Sequence, residues 1–113
     1  MINRGDIFLT NFGQARGAEQ TGMRPALVIQ NDTGNELGST TIVAAMTSRR
    51  VALYPSRVHV GPRDSGLREP STVMLDQLLT IDLGRLRERI GKLSLEAMHE
   101  VDRAIHLSLG LVD

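Results

Sequence analysis

Short apolar stretches separated by turn-forming residues make up most of the chain up to position 93. Three of them, at 7–12, 25–30 and 40–47, are rich in branched or aromatic residues and predict strands. Pro25 is acceptable as the first residue of its strand. Further strand candidates lie at 56–60, 71–75 and 89–93. Five or six short strands separated by turns predict a small barrel or closed sheet.

The segments between these strands are predicted to be loops. Glycines mark 13–22, and the stretch 31–39 holds Asn, Asp and Gly, which all favour turns. Residues 49–55 and the Gly-, Pro- and charge-rich stretch 61–70 are also predicted to be irregular.

The end of the chain follows a different pattern. Ser94 is a good helix N-cap, and Glu96 would lie in the first turn, where the helix dipole favours an acid. Apolar residues then recur at helical spacing up to Gly110; they are Met98, Val101, Ile105 and Leu109. The pattern predicts one amphipathic helix packed on the sheet, and hence a mainly β chain with helices, of the α+β class.

Length and composition favour a single domain over residues 1–113, with a core large enough to need no covalent cross-links. The chain has no cysteine, which excludes disulfides, thiolate metal sites and thiol nucleophiles. Arg4 and Asp6 stand where a signal peptide would place its apolar segment. A cytoplasmic location is therefore expected.

The formal net charge of zero hides an uneven distribution. Residues 1–63 carry seven arginines against four acids, and the rest of the chain compensates. Twelve of the thirteen basic residues are arginine, whose planar fork pairs with phosphate or carboxylate through two hydrogen bonds. The N-terminal half could therefore recognise anions, although a solvated surface with an arginine bias is the more common explanation of such a composition.

Several classes of chemistry have no motif in this chain. The phosphate-binding loop, the dinucleotide-binding glycine pattern and the serine-hydrolase elbow are all missing from the sequence. The three histidines, His59, His99 and His106, have no carboxylate at ligand spacing, so no metal and no cofactor are expected. Three aromatic residues are too few for a base-stacking platform.

Three polar positions at strand ends are candidates for a site. Arg24 precedes a proline, which favours extended backbone there and predicts a side chain that projects stiffly from the strand entrance. Thr47, Ser48 and Arg49 follow an apolar run, and Asp76 and Gln77 interrupt another. The structural alternatives are an ion pair of Arg24 with Glu19 or Asp32, Thr47 as a plain strand former, and Gln77 as a satisfied buried amide.

These positions belong to a series of blocks that together resemble the MazF/PemK toxin family. The blocks run in order over nearly the whole chain; they are 4–7, 19–20 with Gly22, 24–28, 31–32, 42–45 with 47–48, 75–77 with 80–82, 89–91 and the closing helix 101–109. Residues 49–57 and 64–69 depart from the family pattern. Since loops there would line an RNA groove, the base sequence that is recognised stays open.

The resemblance implies an SH3-like small barrel with a C-terminal helix, a homodimer, and an antitoxin partner related to MazE. It also implies sequence-specific, metal-independent cleavage of single-stranded RNA, leaving a 2′,3′-cyclic phosphate and a 5′-hydroxyl. Arg24 and Thr47 match the family's catalytic pair. The residues expected to contact RNA are Glu19, Gln20, Asn31, Ser48, Arg49, Asp76 and Gln77.

The proposed pair is chemically reasonable, because attack by the neighbouring 2′-hydroxyl needs stabilisation of charge on phosphorus rather than a protein nucleophile. The identity of the general acid and base stays open. Two other functions also stay open: a non-catalytic barrel toxin that binds a protein such as DNA gyrase, and an inactive or regulatory module.

Overall fold

The computed structural model describes residues 1–13 and 22–111, and six strands within them form one antiparallel sheet. The strands are β1 (Asp6–Asn11), β2 (Met23–Val28), β3 (Thr40–Thr47), β4 (Arg57–Val60), β5 (Ser71–Asp82) and β6 (Leu86–Lys92). Their order in the sheet is β4-β5-β3-β2-β1-β6. The mainly β prediction is confirmed. Within the described residues the outer strands β4 and β6 are not joined to each other, so the word barrel describes the sheet only approximately.

Strand β5 is longer than the sequence suggested. The predicted strand stops at residue 75, whereas β5 continues to Asp82 and pairs with β3 along its length. The pairing shifts between Ala44, which faces Leu78, and Ala45, which faces Met74. Asp76 and Gln77 lie in this irregularity. Such a bulge bends a strand and lets it continue past residues that do not fit the alternation.

Two predicted loops contain short helices, and there the prediction was wrong. Helix α1 (Asp32–Leu37) begins after Asn31, whose side chain accepts a hydrogen bond from the Gly34 amide at 2.7 Å. Helix α2 (Pro62–Ser65) begins with a proline and ends at Gly66, whose φ is +76°. Residues typical of turns thus serve here as helix caps.

The C-terminal helix is confirmed. Helix α3 (Leu95–Ser108) begins after Ser94, which accepts a hydrogen bond from the Ala97 amide at 3.1 Å. A single 3₁₀ turn (Leu83–Arg85) joins β5 to β6. Leu109, predicted on the apolar face, is instead 57% exposed because it lies in the cap beyond the last helical residue. Over the part of the chain described, no helix is long and apolar enough to cross a membrane.

Apolar residues are buried on both faces of the sheet, in two separate clusters. One cluster packs against α3 and includes Ile7, Leu27, Met46, Leu75 and Val101. The other, which we call the second cluster, contains Phe8, Phe12, Ala26, Val28, Val43, Ala45, Met74 and Ile81. Burial of alternate residues on opposite faces explains why the central strands are apolar at nearly every position.

Candidate active site

Four polar residues lie side by side across four adjacent strands, at one end of the sheet. They are Arg24 on β2, Thr47 on β3, Thr72 on β5 and His59 on β4, and we call them the polar row. In the strand registers Thr47 faces Thr72, and Thr72 faces His59. Ala26 faces Ala45 across β2 and β3, and the same register continued by two residues sets Arg24 opposite Thr47.

Successive side chains of a strand point to opposite faces of the sheet, and this alternation shows which face carries the polar row. Arg24 shares a face with Ala26, and Thr47 shares one with Ala45; both alanines belong to the second cluster. The row therefore borders the second cluster, on the face of the sheet opposite α3. Arg24, Thr47 and Thr72 each lie two residues beyond an apolar residue of the second cluster, where the apolar packing of that face ends.

Arg24 enters the row from the beginning of β2, and its backbone faces Thr10 of β1. The side chain is half-buried. Of the two ion-pair partners considered from sequence, Asp32 lies past the opposite end of β2, where it accepts a hydrogen bond from the Arg4 amide at 2.6 Å. Glu19 lies outside the described residues, as does Gln20.

Thr47 is the last residue of β3 and is only 8% exposed. Its Oγ1 accepts a hydrogen bond from the Arg49 amide at 3.1 Å, which holds the chain as it leaves the strand. A threonine hydroxyl can accept this bond and still donate its own proton. Ser48, Arg49 and Arg50 follow directly and are exposed. Ser48 and Arg49 thus lie next to Thr47 in the chain, and the continued register places Arg24 on the neighbouring strand.

A groove of about 540 Å³ adjoins this end of the sheet. It is lined by Ser48, Arg49, Arg50, Val51, Leu53, His59, Glu69, Pro70 and Thr72. His59 and Thr72 were not among the site residues predicted from sequence. The alternation at 56–60 predicted that residues 57 and 59 share one face of their strand. Only the pairing of β4 with β5 shows that this is the face of the sheet that also carries Thr47.

The remaining predicted residues lie elsewhere. Asn31 is beyond the opposite end of β2 and caps α1. Asp76 lies in the β5 bulge and accepts two hydrogen bonds from Arg57, at 3.3 Å from Nε and 3.1 Å from Nη2. The Arg57 guanidinium also stacks 4.4 Å from the centre of the Tyr54 ring. Gln77 neighbours this pair in the chain and is half-buried.

Within residues 1–13 and 22–111, no three His, Asp or Glu side chains lie close enough together to hold a metal ion. The chemistry available to the polar row itself is that of a guanidinium, hydroxyls and an imidazole, which bind and orient phosphate oxygens.

Residues 3–109 match the family model described as PemK-like, MazF-like toxin of type II toxin-antitoxin system. The chain belongs to this family. The match spans both ends of the sheet, the groove and α3, so it includes every described residue of the polar row.

Solved structures share the fold of this chain. A mycobacterial endoribonuclease in complex with its cognate antitoxin is 23% identical, with 100% of this chain and 99% of that chain covered, at a TM-score of 0.84. MazF from Deinococcus radiodurans is 26% identical, with 96% of each chain covered and a TM-score of 0.82. A MazE–MazF complex from the same organism is 26% identical, covers 98% and 97% of the two chains, and has a TM-score of 0.76.

Proposed function

We propose that this toxin-family protein is an endoribonuclease that cuts single-stranded RNA at short sequences without a metal ion. The observation that carries the proposal is the register of β2 and β3, which, continued two residues past the pair Ala26–Ala45, sets Arg24 opposite Thr47. The exposed Arg49 and Arg50 follow Thr47 in the chain and line the groove. The cut would leave a 2′,3′-cyclic phosphate and a 5′-hydroxyl. Its family membership and the name endoribonuclease carried by a similar mycobacterial protein support the same reaction.

The reaction places few demands on the protein. The 2′-oxygen of the substrate attacks phosphorus, the bond from phosphorus to the 5′-oxygen breaks, and the proton lost by the 2′-hydroxyl is balanced by one gained by the 5′-oxygen. Negative charge accumulates on the phosphorus oxygens in the transition state. Arg24 would stabilise that charge through two parallel hydrogen bonds, and Thr47 would orient the phosphate through its hydroxyl.

A single experiment tests the proposal. The purified protein is incubated with a long single-stranded RNA in EDTA, the ends are mapped, and an oligonucleotide with the mapped cut site is then made with and without a 2′-hydroxyl at that site. We expect cleavage in EDTA and none of the deoxy form. A need for magnesium, or equal cutting of DNA, contradicts the mechanism, and intact RNA favours the non-catalytic alternative.

The proposal includes an antitoxin partner related to MazE. The exposed guanidiniums of Arg49 and Arg50 suit the carboxylates of an acidic, extended segment as well as they suit phosphates. Similar toxins from Deinococcus radiodurans and mycobacteria have been solved as antitoxin complexes. Binding of such a partner should weaken as salt is raised. The partner would be encoded beside this protein as a small acidic chain, and harmless expression of the toxin alone would count against it.

The functional unit would be a homodimer with RNA crossing both subunits, because a 113-residue domain offers only a short groove. Sedimentation at micromolar concentration tests this directly. A purely monomeric protein that still cuts RNA contradicts it.

A further inference from the structure

His59 is an exposed residue at the outer end of the polar row that the proposed reaction leaves without a role. Its Nδ1 lies 3.3 Å from Oγ1 of Thr72, and Thr72 in turn faces Thr47 in the strand register. Thr72 is almost fully buried and so holds the imidazole in place. Among residues 1–13 and 22–111, no side chain or carbonyl forms a hydrogen bond with the second ring nitrogen, Nε2, so that atom can bind a ligand.

The position of His59 limits what it can touch. Thr47 and His59 are two strand spacings apart, roughly 10 Å between backbones. One phosphate group cannot bridge that distance and also be gripped from the other side by Arg24. His59 therefore lies next to the reacting phosphate's position rather than on it, at the distance of a neighbouring nucleotide.

The groove beside His59 has the chemistry of a nucleotide site. Ser48, Arg49 and Arg50 supply hydroxyl and guanidinium donors along one side. Val51, Leu53 and Pro70 supply apolar walls, and Glu69 is the only acid among the lining residues. Its volume of about 540 Å³ falls in the range of pockets that hold ligands as large as a nucleotide.

We propose that His59 is a positioning residue that binds the phosphate next to the one being cut and so sets where RNA lies on the polar row. This inference rests on the proposed function. When the Thr72 hydroxyl donates to Nδ1, the proton of a neutral imidazole is on Nε2, which then donates to a phosphate oxygen; a charged imidazole also donates there. Thr72 thus orients the ring, and His59 makes the contact.

The test combines a variant with a change in the substrate. An oligonucleotide with one ribonucleotide at the mapped cut site is made with a neutral methylphosphonate at each flanking phosphate in turn. Single-turnover cleavage is measured for the wild type and for His59→Gln. His99→Gln, which replaces an exposed histidine of α3 outside the groove, is the matched control.

We expect one flanking methylphosphonate to slow the wild type and His99→Gln about 10-fold, the effect of losing a hydrogen bond to a charged group. His59→Gln should cut the unmodified substrate about 10-fold more slowly than the wild type does. A methylphosphonate at that same phosphate should then lower the rate of His59→Gln by less than about twofold, because the substitution and the methylphosphonate remove the same contact. His59→Arg, which keeps an N–H donor, should recover most of the rate and of the sensitivity.

If His59→Gln lost as much rate as the wild type does at that same phosphate, the inference would be overturned. An unchanged rate of His59→Gln on the unmodified substrate would overturn it as well. Either result, obtained with an active wild type, leaves the proposed function standing. A wild type that cuts no RNA overturns both. Melting curves of the three variants identify any loss that comes from unfolding.

Discussion

Two groups of polar residues lie at opposite ends of β2 and β3, and they are built in contrasting ways. At one end is the polar row. At the other, Gln30, Asn35 and Thr41 form a network that we call the polar cluster. The Thr41 hydroxyl donates to Asn35 Oδ1 at 2.6 Å, and Gln30 Nε2 donates to the same oxygen at 3.0 Å. The side-chain Nδ2 of Asn35 donates to the backbone carbonyl of Gln30 at 3.1 Å.

The difference lies in where the hydrogen-bonding capacity is used. In the polar cluster, donors and acceptors satisfy one another, and Asn35 and Thr41 are buried. The polar row borders a groove instead, with His59 and the neighbouring Arg49 exposed to it. Both groups consist of polar residues at strand ends, so polarity alone does not indicate a binding site. Contact with an open groove does.

The largest expected effect is a loss of RNA cleavage when Arg24 of the polar row is replaced. Arg24→Ala should slow single-turnover RNA cleavage by about 10² to 10³, the usual cost of losing a contact to transition-state charge. The melting temperature should fall by only a few degrees, because a half-buried arginine at a strand end contributes about 1 kcal/mol or less to stability. Arg24→Lys should recover little, since an ammonium cannot form two parallel bonds.

Arg63→Ala, a change of an exposed arginine on α2, is the control for Arg24→Ala and should keep full activity. If Arg24→Ala melts normally and cuts at the wild-type rate, Arg24 has no catalytic role. If it loses about 3 to 5 kcal/mol of stability, the residue belongs to a buried ion pair and the polar row resembles the polar cluster.

Thr47→Val tests the second member of the proposed pair with nearly the same volume. We expect cleavage to slow by about 10- to 100-fold, the value of one hydrogen bond to a charged group. Loss of the bond from the Arg49 amide should also lower the stability by about 1 kcal/mol. Thr47→Ser keeps the hydroxyl and should retain most of the activity; equal loss in both variants would point to packing rather than hydrogen bonding.

Asn35→Ala, in the polar cluster at the other end of the strands, should lower the stability and leave RNA cleavage nearly unchanged. It leaves the Thr41 hydroxyl and one Gln30 proton without their acceptor in a buried site, at a cost of about 1 to 3 kcal/mol. The melting temperature should drop, while cleavage measured well below it stays within about twofold of the wild type. Reduced cleavage by a fully folded variant would show that the polar cluster takes part in RNA binding.

Asn31→Ala is expected to give the smallest effect. Asn31 was predicted to contact RNA, but its side chain caps α1 at the end of the molecule away from the groove. Loss of the cap should cost about 1 kcal/mol, and Asn31→Asp, which also caps, should restore the stability. A slower cut by both variants at a temperature where they are folded would support the predicted RNA contact.

Local signals in the sequence predicted much of the fold. The strands at 7–12, 25–30 and 40–47 and the helix after Ser94 were recognised because alternation, branched residues and a capping serine act within a few residues of one another. The short helices α1 and α2 were not predicted, because asparagine and proline, the residue types of Asn31 and Pro62, occur both in turns and at the beginnings of helices. The extension of β5 to Asp82 was missed because a bulge hides the alternation.

The sequence by itself determined the family, the mainly β class, and Arg24, Thr47, Ser48 and Arg49 as candidates, since each lies beside a recognisable strand end. Only the tertiary structure decided which strand ends meet. The order β4-β5-β3-β2 brings His59 into line with Thr47, whereas Asn31 lies past the opposite end of β2. Strand pairing joins residues far apart in the chain, and its register depends on side chains from both strands, so no stretch of sequence contains that information alone.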